Sequence, residues 1–293
     1  MYKLKYTFKT DTLFKMLFVK YPHLLRGLVA ALLGIPDGSI EEFVIQNPEM
    51  APENLEDKFC RLDINMRVNG QRVDIEIQVN NEGDYPERVM YYWAREFSSA
   101  LPAGQQYSSL PRTIIISITN FSLFKDCEEF HSHFQLMETT RHTLLSDKMG
   151  FHFFELPKLP EQPEGDEADM LHLWLSLFKA DTAEEMEKIK GMEVPVMSEA
   201  IKAYYSVTAS EEFREVERLR EKARHDEAQA LYHAEQKGIE QGIELGIDQG
   251  VVKGQKQLIL NLVKTGLPFE QIVRSSGLDQ TEIENLRKMI MPQ

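Results

Sequence analysis

Apolar residues recur at helical spacing near the start of the chain: Leu13, Phe14, Leu17 and Phe18, then Leu24, Leu25, Leu28, Val29 and Leu32, with Pro22 breaking the run. Spacings of three and four residues predict amphipathic helices, and a proline predicts an interruption, so residues 11–33 read as two short helices. A polar connection, IQNPEMAPENLED, follows. The period then changes to two. In RLDINMRVNGQRVDIEIQVNN, residues 61–81, Leu62, Ile64, Met66 and Val68 alternate with polar residues before Asn69-Gly70, and Val73, Ile75, Ile77 and Val79 do so after it. Alternating runs that meet at Asn-Gly predict a hairpin with a two-residue type I′ turn. DYPERVMYYWAREFSSAL places Pro86 near a helix start and Val89, Tyr92, Trp93 and Phe97 in one stripe, and RTIIISIT reads as a buried strand. HSHFQL and GFHFFELPKL add strand-like pieces up to residue 160. The order helix, hairpin, helix, strand predicts a mixed α/β sheet flanked by helices.

Beyond an acidic linker, EQPEGDE at 161–167, the pattern is helical. DMLHLWLSLFKA is amphipathic, and SEEFREVERLREKARHDEAQALYHAEQ is mixed in charge, with Ser210 as its expected N-cap. Gly238, Gly242, Gly246, Gly250 and Gly254 then recur at every fourth residue. Each glycine costs a helix interior about 1 kcal/mol relative to alanine. The run is either a narrow seam for close packing between subunits or a weakly helical tether; its charged residues exclude a membrane span. The final stretch reads as three short helices, with Gly266 and Gly277 ending the first two, Pro268 opening the second, and Asp279 with Glu282 starting the third. Its acidic leading end, Asp279, Glu282 and Glu284, favours an oligomerisation or partner module over a DNA-reading helix. The expected organisation is a sheet domain over 1–160, a helical region over 161–235, a glycine-repeat helix or tether over 236–256, and a small helical module over 257–293.

Composition narrows the setting. The chain has 293 residues, enough for one full domain and a smaller region, and only two cysteines, Cys60 and Cys127, which fits a reducing compartment; the cytoplasm is the expected location. The early apolar run LLRGLVAALLGI is short and contains Arg26, so neither a membrane anchor nor an export signal is expected. A net charge of −14 argues against a nucleic-acid partner, yet Lys3, Lys5, Lys9, Lys15, Lys20 and Arg26 leave room for a basic N-terminal face.

The hairpin carries the chemistry. The turn pairs Val68 with Gln71, and counting outward sets Asn65 opposite Asp74 and Asp63 opposite Glu76. Opposed residues have Cβ atoms about 4.5–5.5 Å apart, and like charges there destabilise the pair, so these acids call for a cation. Mg2+ prefers such oxygen ligands, with water and substrate phosphate completing its shell, and Gln78 on the same face is placed to orient a water. Asp74 shares that phase as a third acid. Alternatively the face is solvated, its acids offset by Arg61, Arg67 and Arg72. Asp11 and Lys15 lie one turn apart and form either an ordinary surface ion pair or a source of charge for the site. His131 and His133 share a strand face but lack an evident third ligand. Trp93 and Tyr92 continue an apolar stripe and read as core.

TDTLFKMLF, LDINMRVNGQRVDIEIQ, PERVMYYWAREF, TIIISITNFSLF, FHFFELPKL and the glycine-repeat tail, in that order and spacing, resemble the Rpn family of PD-(D/E)XK nuclease family transposases, the recombination-promoting nucleases. The likeness covers nearly the whole chain. It implies a restriction-endonuclease-like core with an all-helical C-terminal region. It further implies metal-dependent endonucleolytic hydrolysis of DNA, with Asp63 and Glu76 as ligands for Mg2+ or Mn2+ and with Asp63, Glu76 and Gln78 in the catalytic set, to which the helix spacing adds Lys15 and Asp11 as candidates. Gln78 stands where the wider superfamily has a lysine; an amide positions water but supplies no positive charge. The competing expectation is a nuclease-fold protein with weak or no chemistry, acting in DNA binding or homo-oligomeric assembly.

Overall fold

In the computed structural model the N-terminal stripes form α1 (Asp11–Lys20) and α2 (Pro22–Leu33), the second opened by Pro22 and closed by Gly34 in the left-handed region. The structure describes residues 2–46, 64–101, 103–161, 169–266, 268–277 and 281. Six strands follow one another across a mixed sheet in the order β1-β2-β3-β4-β6-β5. They are β1 (Phe43–Ile45), β2 (Ile64–Val68), β3 (Gln71–Gln78), β4 (Thr113–Thr119), β5 (His131–Met137) and β6 (Leu144–Glu155). The central pairs β3/β4 and β4/β6 are parallel, and the outer pairs are antiparallel. A parallel neighbour requires a crossover, and α3 (Tyr85–Ser99) supplies the one between β3 and β4.

The β2/β3 hairpin has the expected register, with Val68 opposite Gln71 and Asn65 opposite Asp74. Asn69 and Gly70 adopt φ of 48° and 75°, as a type I′ turn demands. The Asn69 side chain also ties the turn to the preceding loop by accepting from the backbone N–H groups of Glu41 and Glu42. The three-residue strand β1 is not announced by the sequence pattern, being too short to show a period.

One sheet face is apolar throughout: Ile64, Met66 and Val68, Val73 and Ile75, and Ile114, Ile116 and Ile118 are buried against residues of α1 and α2. α4 (Met170–Lys179) and α6 (Pro195–Thr208) join the same cluster through Trp174, Phe178, Ile201 and Tyr204. Each such side chain contributes roughly 1.5–3 kcal/mol. Two polar ties add to this. Lys9 is buried and donates to Asp181 at 2.7 Å and to the Lys179 carbonyl at 3.2 Å. The short α5 (Ala183–Lys190) starts with a capping box between Thr182 and Glu185. Because Lys9 and Lys15 are buried, neither adds to an exposed basic N-terminal face.

The chain forms two compact units, Met1–Arg218 and Leu219–Gln293. The helix α7 (Glu211–Lys264) begins in the first unit, where the Ser210 hydroxyl caps it by accepting from the Phe213 N–H at 3.2 Å. It is continuous through all five spaced glycines, so the first of the three expected C-terminal helices is the end of α7. Gly266, at φ 84°, follows it, and α8 (Phe269–Ser276) ends at Gly277, at φ 65°. The expected third helix, including Asp279, Glu282 and Glu284, lies outside the described residues. Among those residues no single helix is long and apolar enough to cross a membrane.

On the apolar side of the sheet's β5 edge, three histidines stack. His133 lies opposite His152 with ring centroids 4.0 Å apart, and His131 Nε2 is 3.0 Å from His152 Nδ1. Burial and the neighbouring His133, His131 and Arg112 push the His152 pKa down to about 3, and those of His131 and His133 also fall, chiefly through burial. His152 is thus held neutral in the fold down to about pH 3, and His131 and His133 are biased the same way, while the unfolded chain takes up protons near the ordinary value of 6.5. Stability is therefore lost as pH falls below that value toward about 3, and is flat above it with respect to these groups. Thermal unfolding followed from about pH 7 to about pH 5 should show a declining midpoint, with a shallower decline in His152→Phe; identical slopes would remove the histidine stack as the cause.

Candidate functional site

The alternation of β3 that sends Val73 and Ile75 into the core sends Arg72, Asp74, Glu76 and Gln78 to the opposite face. The solvated-face expectation does not hold for this strand: Asp74 and Glu76 are only 6% and 7% exposed. The cover is α3, whose Tyr85, Val89 and partly buried Trp93 pack with Ile115, Phe151 and Phe153 from the same face of β4 and β6. Trp93 fixes the helix to the sheet by donating its Nε1–H to the Thr113 carbonyl at 3.0 Å. Val89 and Trp93 of the apolar stripe expected for this helix thus lie over this face of the sheet, Val89 buried and Trp93 partly so.

Arg72, Glu76 and Gln78 of β3 each have a partner from α3 or the loop before it. Tyr85 donates its hydroxyl to Glu76 Oε2 at 3.2 Å, a fully buried bond. Arg88, one turn later, donates to Gln78 Oε1 at 2.7 Å and to Glu82 Oε2 at 2.6 Å, with its guanidinium 5.1 Å from the centre of the Tyr85 ring. Gln78 Nε2 donates in turn to the Asn80 carbonyl at 2.8 Å. At the other end of the strand Arg72 binds α3, reaching the Glu96 carbonyl, the Glu96 carboxylate and Ser99. Arg72 therefore does not offset the hairpin acids, and Arg67 is exposed.

Register extends the site across the sheet. Glu76 neighbours Ser117, and Gln78 neighbours Thr119 and, one strand further, Glu155. The buried Ser117 hydroxyl has no hydrogen-bond partner among the described residues. Glu155 is structural: it accepts from the backbone N–H groups of Leu123 and Phe124 and from Lys158, anchoring the loop after β4.

The electrostatics centre on Arg88. Burial opposes its charge, but the hydrogen bond to Glu82 and the charges of Glu76 and Glu82 outweigh that, and its pKa lies above the ordinary value. A cation is therefore fixed beside the Glu76 carboxylate. Sequence reasoning missed both Arg88 and Tyr85. Their only trace is a tyrosine and an arginine three positions apart in the first turn of a helix that directly follows the strand.

Of the expected site residues, Glu76 and Gln78 are brought together on β3. Asp63 lies outside the described residues, which begin again at Ile64. Asp11 and Lys15 lie one turn apart on α1, Lys15 buried. The oxygen donors of Asp74 and Glu76 suit a hard divalent cation in type. Among the described residues no group of three His, Cys, Asp or Glu side chains is arranged to hold a metal, which applies to the His131, His133 and His152 stack as well.

Comparison with curated proteins and with solved structures gives no match. A family model, described as PD-(D/E)XK nuclease family transposase, matches residues 8–234, from Phe8 before α1 through the sheet and into α7. That span includes the hairpin, the covering helix and the parallel centre of the sheet, and the chain therefore belongs to the PD-(D/E)XK nuclease family transposases.

Proposed function

We propose that this nuclease-like chain is a metal-dependent endonuclease that hydrolyses phosphodiester bonds of DNA in recombination or transposition. The observation that carries the reading is a pair of buried carboxylates, Asp74 and Glu76, on one face of β3, with Gln78 on the same face and Arg88 bonded to it. Glu76 with Asp63 would hold Mg2+ or Mn2+, which when bound supplies charge neutralisation and a more acidic water. Tyr85 holds the Glu76 carboxylate in place, and α3 excludes bulk water from it. In the reaction a water oxygen forms a bond to phosphorus, one ester P–O bond breaks, and the departing oxygen takes a proton, leaving a phosphomonoester and a hydroxyl. Asp11 and Lys15 are the remaining candidates for proton handling or charge at this site.

A second reading has its own support. Both ends of the Gln78 amide are engaged, by Arg88 and by the Asn80 carbonyl, so it serves as a bracket between them, with one N–H and one lone pair left for a water. A slow or inactive protein that binds DNA fits that arrangement. Purified wild type with Mg2+ or Mn2+ should nick or cut plasmid DNA, and Asp63→Ala and Glu76→Gln should each lower the rate by at least about 10²-fold. The same ions should raise the unfolding temperature of wild type and not of Asp63→Ala. Cutting by the variants at the wild-type rate would refute the ligand assignment, and no cutting with no thermal shift would favour the second reading.

The chain is also proposed to form a homo-oligomer through α7. A Cβ added at any of Gly238, Gly242, Gly246, Gly250 or Gly254 meets open space, and Ile239, Ile243, Ile247 and Val251 beside them are exposed. Such a seam lets a second helix approach closely and covers the isoleucines. Deleting 236–256 should reduce the mass seen in sedimentation to that of a monomer; an unchanged mass would exclude this seam.

A further inference from the structure

The β3 face presents an imbalance that the nuclease reading alone leaves open. Hydrolysis builds negative charge on the phosphate, yet the position two residues after Glu76 carries an amide. One cation that the geometry places there is Arg88. It is bonded to Gln78 Oε1 at 2.7 Å, stacked on the ring of Tyr85, whose hydroxyl binds Glu76, and steadied from outside by Glu82. Glu82 is well exposed, whereas the Arg88 side chain is mostly covered, so the cation is held by the site and not by a freely moving surface pair. Lys15, the sequence's candidate for the same charge, lies on α1, a different element.

We propose that Arg88 contacts a phosphate oxygen of bound DNA and supplies the positive charge that Gln78 lacks, with Gln78 acting as the bracket that positions the guanidinium. The pairing divides one task between two side chains: the strand residue sets the place, and the helix residue brings the charge. A planar guanidinium suits this because it can keep one N–H on Gln78 while others face phosphate. The inference rests on the nuclease reading for its catalytic consequence, but phosphate contact by Arg88 stands or falls separately.

The test uses the full chain with Arg88→Gln, Arg88→Lys and the double variant Gln78→Lys/Arg88→Gln, each checked for wild-type thermal unfolding. With Mg2+ or Mn2+, Arg88→Gln should cut plasmid about 10²–10³-fold more slowly at saturating DNA. Arg88→Lys should stay within about tenfold of wild type, and the double variant should recover at least about tenfold over Arg88→Gln. A duplex titrated in Ca2+ at several salt concentrations supplies a readout independent of cutting. The slope of log affinity against log salt should drop by about 0.9 in Arg88→Gln, one phosphate contact, and stay unchanged in Arg88→Lys. Should Arg88→Gln fail to fold, Arg88→Met takes its place in the binding arm, and an unchanged slope there overturns the proposal.

An Arg88→Gln rate near wild type, or a double variant no better than Arg88→Gln, overturns Arg88 as the charge while leaving the nuclease reading intact. If wild type cuts nothing with any ion and Arg88→Gln still loses one contact in the slope, the nuclease reading falls and the phosphate contact survives. An unchanged slope in a folded Arg88→Gln overturns the contact itself.

Discussion

Carboxylates under a helix are the constraint around which this fold is arranged. Taking an ionised group out of water costs several kcal/mol even after relaxation, unless hydrogen bonds and opposite charge replace the lost solvent. Asp74 and Glu76 are nearly covered, and for Glu76 the replacement comes from the helix that covers it. α3 brings an apolar stripe for Ile115, Phe151 and Phe153, a hydroxyl for Glu76, and a guanidinium for Gln78. Cover and countercharge come from one element, so neither can shift without the other.

The other side of the sheet makes that arrangement rigid. β3 pairs in parallel with β4, and β4 with β6, while their alternate residues bury into α1, α2, α4 and α6. A strand clamped on both edges and one face leaves little freedom for the side chains on its remaining face, and functional groups held on such elements keep their positions better than groups on loops. The family match spans this assembly and runs into α7.

Much of this was legible in the residues. Asn69-Gly70 with alternating flanks determines the register of Asn65 against Asp74, because a two-residue turn leaves no other count. Thr113–Thr119 announces a strand buried on both faces, and Pro22, Ser210 and Gly277 mark helix ends. A period of two, however, reports only that charged residues share a side; whether water or a helix lies over them depends on where the crossover packs. For that reason the buried state of Glu76 and the approach of Arg88 to Gln78 were not readable. Arg88 resembles any solvated helix residue until Tyr85 beside it is seen to reach a strand acid. The continuous α7 was obscured by its glycines, which weaken helix signals locally but are tolerated inside a long, otherwise helical run.

The β5/β6 hairpin closes the sheet with a row of unusual exposure. Phe134, Leu136 and Met137 on the edge strand, and Leu144 and Leu145 opposite the tip, face solvent. A flat apolar edge of this kind is a template for strand addition and fibre growth. Here the pairing slips between Phe134 and Leu136 and again between Leu136 and Met137. Such irregularity coils the outer strand and breaks the even row of donors and acceptors that a foreign strand would need. The molecule can thus carry greasy side chains at its rim and still resist polymerising through them.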